Sequence, residues 1–178
     1  MANNDITQEA AKRMFSYKEN NLYWNKRPMS DFKTKRGRNI FNSSYAGKIS
    51  GSVNTIGYRF IKIGNRDHSA HRIIWIFHFG KIPANMQIDH INHIRSDNSI
   101  DNLRIVSEPD NHKNLSKRKS NKSGATGVCF VSRTKKWTAY IRVNGKLLFL
   151  GNFTSKESAI KERLKAEVKY GFHKNHGN

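Results

Sequence analysis

Cysteine is almost missing from this chain. Cys129 is the single one among 178 residues, which excludes an intramolecular disulfide and any zinc site built on thiolates. A metal, if one is used, must be held by oxygen and nitrogen. Acid is scarce as well: 13 Asp and Glu stand against 33 Lys and Arg, a formal net charge of +20. No acidic residue occurs between Asp31 and Asp67, nor between Asp110 and Glu157. Long apolar runs are also absent, so no stretch is expected to cross a bilayer. The polar, amphipathic N-terminus lacks the apolar region of a secretory signal. These absences predict a soluble intracellular protein and are compatible with a reducing compartment.

What is present is clustered positive charge, the electrostatic footprint of a polyanion partner. Nucleic acid is the first candidate; an anionic membrane surface and a ribosome-like RNA scaffold are the alternatives that charge alone leaves open. The length suits one ordinary domain or two small ones, and two small modules are expected. The polar, basic stretch Leu115 to Gly124 reads as an exposed linker or a phosphate-tracking arm. It divides the chain into 1–114, a linker at 115–123, and 124–178.

Ile6 to Lys18 is predicted as a short helix capped by Thr7, with Ala10, Ala11, Met14 and Phe15 at helical spacing. Leu22 to Trp24 reads as extended. Tyr45 to Ile63, rich in Gly, β-branched and aromatic residues, predicts an antiparallel β unit. Ser69 to Phe79 is apolar and stopped by Gly80 and Pro83; a helix is expected. Near the C-terminus, Asn144-Gly145 supplies the two positive-φ residues of a type I′ hairpin turn. That turn pairs Val143 with Lys146, Arg142 with Leu147, Ile141 with Leu148 and Tyr140 with Phe149. Alternation then puts Trp137, Ala139, Ile141, Val143, Leu148 and Leu150 on one face, and Thr138, Tyr140, Arg142, Leu147 and Phe149 on the other. Thr154 with Glu157 reads as a capping box opening a helix whose Ile160, Leu164 and Val168 cover the first face.

The chemistry is concentrated in QIDHINHIRSDNSIDNLRIVSEPDNHKN, Gln87 to Asn114. Hydrolysing a phosphodiester needs a nucleophilic hydroxide, charge stabilisation on the phosphoryl oxygens and help for the leaving alkoxide; a neutral imidazole supplies the first and a hard cation the others. Asp89 and His90 are adjacent, and neighbours on a strand face opposite sides unless the strand ends there. Ser107 and Pro109 predict a helix start, with Asn111 and Asn114 three positions apart on one face. Carboxylate and amide oxygens with water are the donors that Mg²⁺ or Mn²⁺ prefers.

This segment resembles the HNH (His-Me finger) nuclease motif of phage-borne and intron-borne homing endonucleases. The resemblance implies that Asp89 is the strand-end metal ligand and His90 the general base. It makes Asn102 the middle asparagine that braces the loop and helps orient the histidine, Asn111 the helix-borne ligand of one Mg²⁺ or Mn²⁺ ion, and Asn114 the second asparagine one turn later. The string Ala70 to Trp75 resembles the histidine-arginine segment preceding the finger, with His71 and Arg72 near the site or the DNA. His71 also has the ordinary reading of a buried packing histidine. The family usually has glycine two or three residues beyond the base. Here Asn92-His93-Ile94 stands instead, so either His93 distorts the loop or Asn92 takes the positive φ.

Ser123 to Gly171 resembles the plant apetala-type (ethylene-response-factor) DNA-binding domain. The matching strings are Gly127-Val128, Lys136 to Arg142, Leu150 to Phe153, and the Ser-Lys-Glu-Ser-Ala run entering the helix. The resemblance implies that Arg142 and Phe149 face DNA, with Tyr140 beside them, although Cys129 and Val131 stand where plant members usually carry arginines. Lys117, Arg118, Lys119, Arg133 and Lys135 are the further expected phosphate contacts.

Together these readings predict an α+β protein: an N-terminal β-rich unit with a ββα-metal finger, then a three-stranded antiparallel sheet packed on one helix. The expected activity is metal-dependent cleavage of double-stranded DNA, with neither membrane nor small-molecule cofactor involved. Resemblance to phage enzymes implies a phage-encoded protein at work in bacterial cytoplasm. A restriction-type nuclease and a non-catalytic DNA-binding regulator are the alternatives.

Overall fold

Thr7 Oγ1 accepts from the Ala10 amide at 3.1 Å and starts helix α1, Gln8–Met14. The computed structural model describes residues 6–178, in two compact units that meet in sequence between Val106 and Ser107. The predicted helix ends early. Phe15–Lys18 is strand β1, paired antiparallel with β2, Asn21–Trp24. Glu19 and Asn20, at φ 50° and 59°, make the two-residue turn between them, a conformation that suits a hairpin's twist. Burial decides against continuing the helix: Phe15 is 1% exposed and its ring lies 4.6 Å from that of Trp24.

An element unforeseen in the sequence follows, helix α2 at Lys35–Ser44, capped by Thr34 through the Gly37 amide at 3.0 Å. Phe41 anchors it edge-on to Trp24, with centroids 5.2 Å apart. The expected β unit is present, shifted toward the C-terminus: β3 (Ser52–Val53), β4 (Arg59–Ile63) and β5 (Arg66–Ser69) form an antiparallel sheet in that order.

Helix α3, Ala70–Phe79, takes the apolar segment as expected and stops at Gly80, φ 82°. Ile73, Ile74 and Ile76 are each 1% exposed and form the core with Phe15, Leu22, Ile61, Ile88 and Leu103. The last two come from β6 (Met86–His90) and β7 (Leu103–Ser107), which pair as a two-stranded sheet.

The second unit opens with α4, Glu108–His112, whose N-cap is Ser107 and whose first turn holds Pro109, as read from the sequence. Strands β8 (Val128–Val131), β9 (Lys136–Val143) and β10 (Lys146–Phe153) form an antiparallel sheet in the order β10-β9-β8. Asn144 and Gly145, at φ 50° and 79°, make the hairpin turn. All four expected pairs are in register. Beyond Phe149 the register slips at Gly151. At that end Thr138 donates to Asn152 Oδ1 at 2.7 Å and is 2% exposed, so its assignment to the open face is corrected.

Helix α5, Lys156–Lys169, brings two further corrections. Its N-cap is Ser155, bonded by the Ser158 amide, and not Thr154 with Glu157. Its inner side is Ala159, Arg163 and Ala166, with Ile160 half-buried against the sheet as expected, whereas Leu164 is 53% and Val168 83% exposed. Alanine lets the helix backbone approach closely, and Arg163 reaches inward to bond the Tyr140 carbonyl while Glu167 holds its Nε at 2.8 Å. The basic stretch after α4 is tied into this unit. Asn121 Oδ1 accepts from the Gly124 amide at 2.7 Å, and the Gly177 amide bonds the Leu115 carbonyl at 2.9 Å. No helix among the described residues is long and apolar enough to cross a membrane.

Candidate active site

Strand β6 ends at His90, and the chain leaves it in a loop cross-braced by side chains. Asn102, 8% exposed at the foot of β7, takes both sides of the loop: its Oδ1 accepts from the Asn92 amide at 3.0 Å and its Nδ2 donates to the Asp97 carbonyl at 2.8 Å. Its own carbonyl accepts from the Ile91 amide at 2.9 Å. Asn92 Oδ1 accepts from the Ile94 amide at 2.8 Å, the pattern by which Asn stabilises a turn. Its Nδ2 donates to Asp97 Oδ2 at 2.7 Å. Ser99 donates to the other Asp97 oxygen, and that bond, ahead of the remaining contacts, holds the Asp97 carboxyl below its ordinary range. The positive φ falls on His93, at 65°. Of the two options left by the missing glycine, His93 carries the strained conformation and Asn92 stabilises the turn around it.

His90 is 4% exposed, with Nε2 3.0 Å from Asn98 Oδ1. His71, in the first turn of α3, meets it edge-on with ring centroids 5.0 Å apart. Tyr58 closes a three-ring cluster at 5.5 Å from His71 and 5.9 Å from His90, and Arg95 lies over the Tyr58 ring at 5.0 Å. Burial pushes the His71 pKa down to about 3, helped by the electrostatic influence of His90 and Arg72 on a second positive charge beside them. His71 is therefore a neutral packing partner against His90.

Asp89, half-buried beside His90, is held by Arg104 of β7, with Nη2 at 2.8 Å and Nε at 3.0 Å from Oδ2. Two charge-assisted hydrogen bonds from one guanidinium fix the orientation of this carboxyl group. Arg72 is half-buried and borders a cavity of about 220 Å³ with Arg66, Asp67 and His68. Among the described residues, no three His, Cys, Asp or Glu side chains gather as a metal cluster. The Asp89 carboxylate and the amide oxygens predicted to join it are hard donors, and they fit Mg²⁺ or Mn²⁺ rather than a thiophilic ion.

In the second unit Asn111 is half-buried on α4 and Asn114 is 2% exposed just beyond it. Lys117, Arg118 and Lys119 are exposed, as are Arg133 and Lys135 in the β8–β9 turn. On the open face of the sheet Tyr140 and Phe149 lie 5.6 Å apart, Phe149 being 58% exposed. Arg142 is exposed on the same strand as Tyr140 and donates to the Gly145 carbonyl at 2.9 Å.

Asn98, Arg104, Tyr58 and Asp97 escaped the sequence reading. Asn98 and Asp97 sit in a polar loop with no periodicity, and Arg104 and Tyr58 reach their partners only through strand pairing and packing. The Ser-Asp-Asn run before Asn102 was the one available signal.

Residues 68–113 match a family of HNH endonucleases, a span that holds His71, Asp89, His90, Asn98, Asn102 and Asn111. Across 76 residues the chain is 32% identical to Protein 3.8 of Escherichia phage T7, a match covering 43% of this chain and 63% of that relative's length. No solved structure matches the chain.

Proposed function

We propose that the chain is a metal-dependent endonuclease that hydrolyses phosphodiester bonds in double-stranded DNA, with His90 as general base. One observation carries the reading: the buried His90 ring ends β6 within a loop braced by Asn102, inside the segment that matches HNH endonucleases. On this reading β6, β7 and α4 are the strands and helix of the ββα finger.

His90 takes a proton from the attacking water, and Asn102 keeps the loop in the shape that presents the ring. Asp89, oriented by Arg104, and Asn111 would hold one Mg²⁺ or Mn²⁺ ion. Such an ion, when bound, stabilises charge on the phosphoryl oxygens and the leaving alkoxide. Asn111 enters on the motif resemblance, with Asn114 as its neighbour. The products expected from the resemblance are a 5′-phosphate and a 3′-hydroxyl.

The sheet-and-helix part of the second unit serves as an apetala-type targeting module, with 115–123 as its basic arm. Tyr140, Arg142 and Phe149 meet the duplex; Lys117, Arg118, Lys119, Arg133 and Lys135 neutralise phosphates. Arg72, whose side chain borders the cavity beside α3, adds a contact near the cut. A homing-type enzyme of phage origin, acting inside the host cell, is the form favoured by the resemblance and by the phage relative. A restriction-type enzyme differs in its cleavage map: short palindromic sites indicate a symmetric dimer.

Supercoiled plasmid incubated with the protein and Mg²⁺ tests the reading. Nicked or linear product is expected, and His90→Ala abolishes it while leaving DNA affinity largely unchanged. Plasmid that is bound but never cut would overturn the nuclease in favour of a DNA-binding regulator.

A further inference from the structure

Resting on the nuclease reading above, we propose that Asn98 is the positioning residue for the base: it fixes the His90 tautomer with the proton on Nε2, so that Nδ1 is the nitrogen that takes the proton from water. The motif resemblance gave the orienting role to Asn102. In the structure both ends of the Asn102 amide are spent on loop backbone, at the Asn92 amide and the Asp97 carbonyl. Asn102 therefore acts on the loop, and Asn98 acts on the ring itself.

Asn98 is 2% exposed, and its Oδ1 stands 3.0 Å from His90 Nε2. A carboxamide oxygen only accepts, so the proton of this bond belongs to Nε2. A neutral imidazole carries one proton, which leaves the lone pair on Nδ1. Reversing the tautomer would set a lone pair against an oxygen in a buried place, where an unmet hydrogen bond costs about 1–3 kcal/mol.

The loop is built to hold Asn98 there. Asp97 before it is tied to Asn92 and Ser99, and the Asn98 carbonyl accepts from the Tyr17 hydroxyl at 3.4 Å. The edge-on contact of His71 restricts ring rotation from another side. The alternative, an Asn98 amide turned to present Nδ2, demands the opposite tautomer and makes Nε2 the acceptor.

Nitrogen-15 NMR of the full-length protein, labelled at histidine, separates the two. The His90 ring, assigned by its loss in His90→Ala, is expected to show a protonated Nε2 and an unprotonated Nδ1. In Asn98→Ala the pattern becomes mixed, and plasmid nicking falls roughly 10- to 100-fold, the size of loss seen when partners that orient metal-binding histidines are removed, with KM unchanged. Asn98→Asp, isosteric and still offering an acceptor oxygen, restores the Nε2–H pattern and most of the turnover. A wild-type spectrum with the proton on Nδ1 would overturn the proposal, as would a folded Asn98→Ala protein that nicks at the wild-type rate. Failure of the wild-type protein to nick DNA sinks the nuclease reading instead, and the spectrum still decides the tautomer.

Discussion

His71 shows how one buried side chain sets a pH limit on the fold. Its pKa is about 3 in the folded protein and near 6.5 when exposed. Between those values the unfolded chain binds a proton that the folded chain refuses, so stability falls as pH drops from about 6.5 toward 3. The contribution is complete above 6.5, and each pH unit inside the window costs up to ~1.4 kcal/mol. Asp97 works in the same direction lower down: its carboxyl is held below the ordinary value of 3.8, and the stability it adds above that value is lost as acid protonates it. Urea unfolding at a series of pH values should show the decline, and His71→Gln should flatten most of it. The position of His71 before the finger was legible in the sequence, as was its reading as a packing histidine. Its contact with His90 was not, because helix packing, and not spacing along the chain, sets the distance between those rings.

At the scale of elements, the second unit depends on one close approach. Gly127 has φ 73°, and a Cβ there would lie 2.3 Å from the Tyr140 carbonyl and 2.5 Å from Arg163 Nη1. Gly127→Ala is expected to cost roughly 2–4 kcal/mol. Gly145→Ala, with equally positive φ and nothing within 4 Å, should cost only about 1–2 kcal/mol. Thermal unfolding of the two variants tests the contrast. The same measurement checks the face of α5: Leu164→Lys and Val168→Lys should stay within about 0.5 kcal/mol of the parent. Ala159→Leu, at a fully buried position, should lose about 1–3 kcal/mol by overpacking. The hairpin was legible because Asn-Gly fixes its own turn and register. The face of α5 was misread beyond Ile160 because Leu164 and Val168 are exposed and an arginine is buried. That arginine is tolerated because the Tyr140 carbonyl, Glu167 and the His176 ring meet its donors.

For the whole molecule, a net charge of +20 predicts DNA affinity that falls steeply with salt. Replacing Lys117, Arg118 and Lys119 together by Ser should weaken binding across all sequences. It should also reduce the slope of log K against log salt by roughly 2–3, since each neutralised phosphate contributes about 0.9. Fluorescence anisotropy over a salt series measures both. An unchanged slope would remove the basic arm from the interface.

Composition and short-range pattern determined a great deal by themselves. The expectation of a polyanion partner follows from net charge, the caps at Thr7 and Ser107 from hydroxyls beside helical runs, and the catalytic candidates from an acid-histidine-asparagine cluster that resembles the HNH motif. Tertiary structure decided what depends on neighbours distant in sequence. It turned Phe15–Lys18 from helix to strand so that Phe15 meets Trp24, paired Asp89 with Arg104 across two strands, and set Asn98 rather than Asn102 against the His90 ring. Local rules act through the backbone and its nearest side chains. Which groups meet in the interior is set by burial and hydrogen-bond satisfaction over the whole chain.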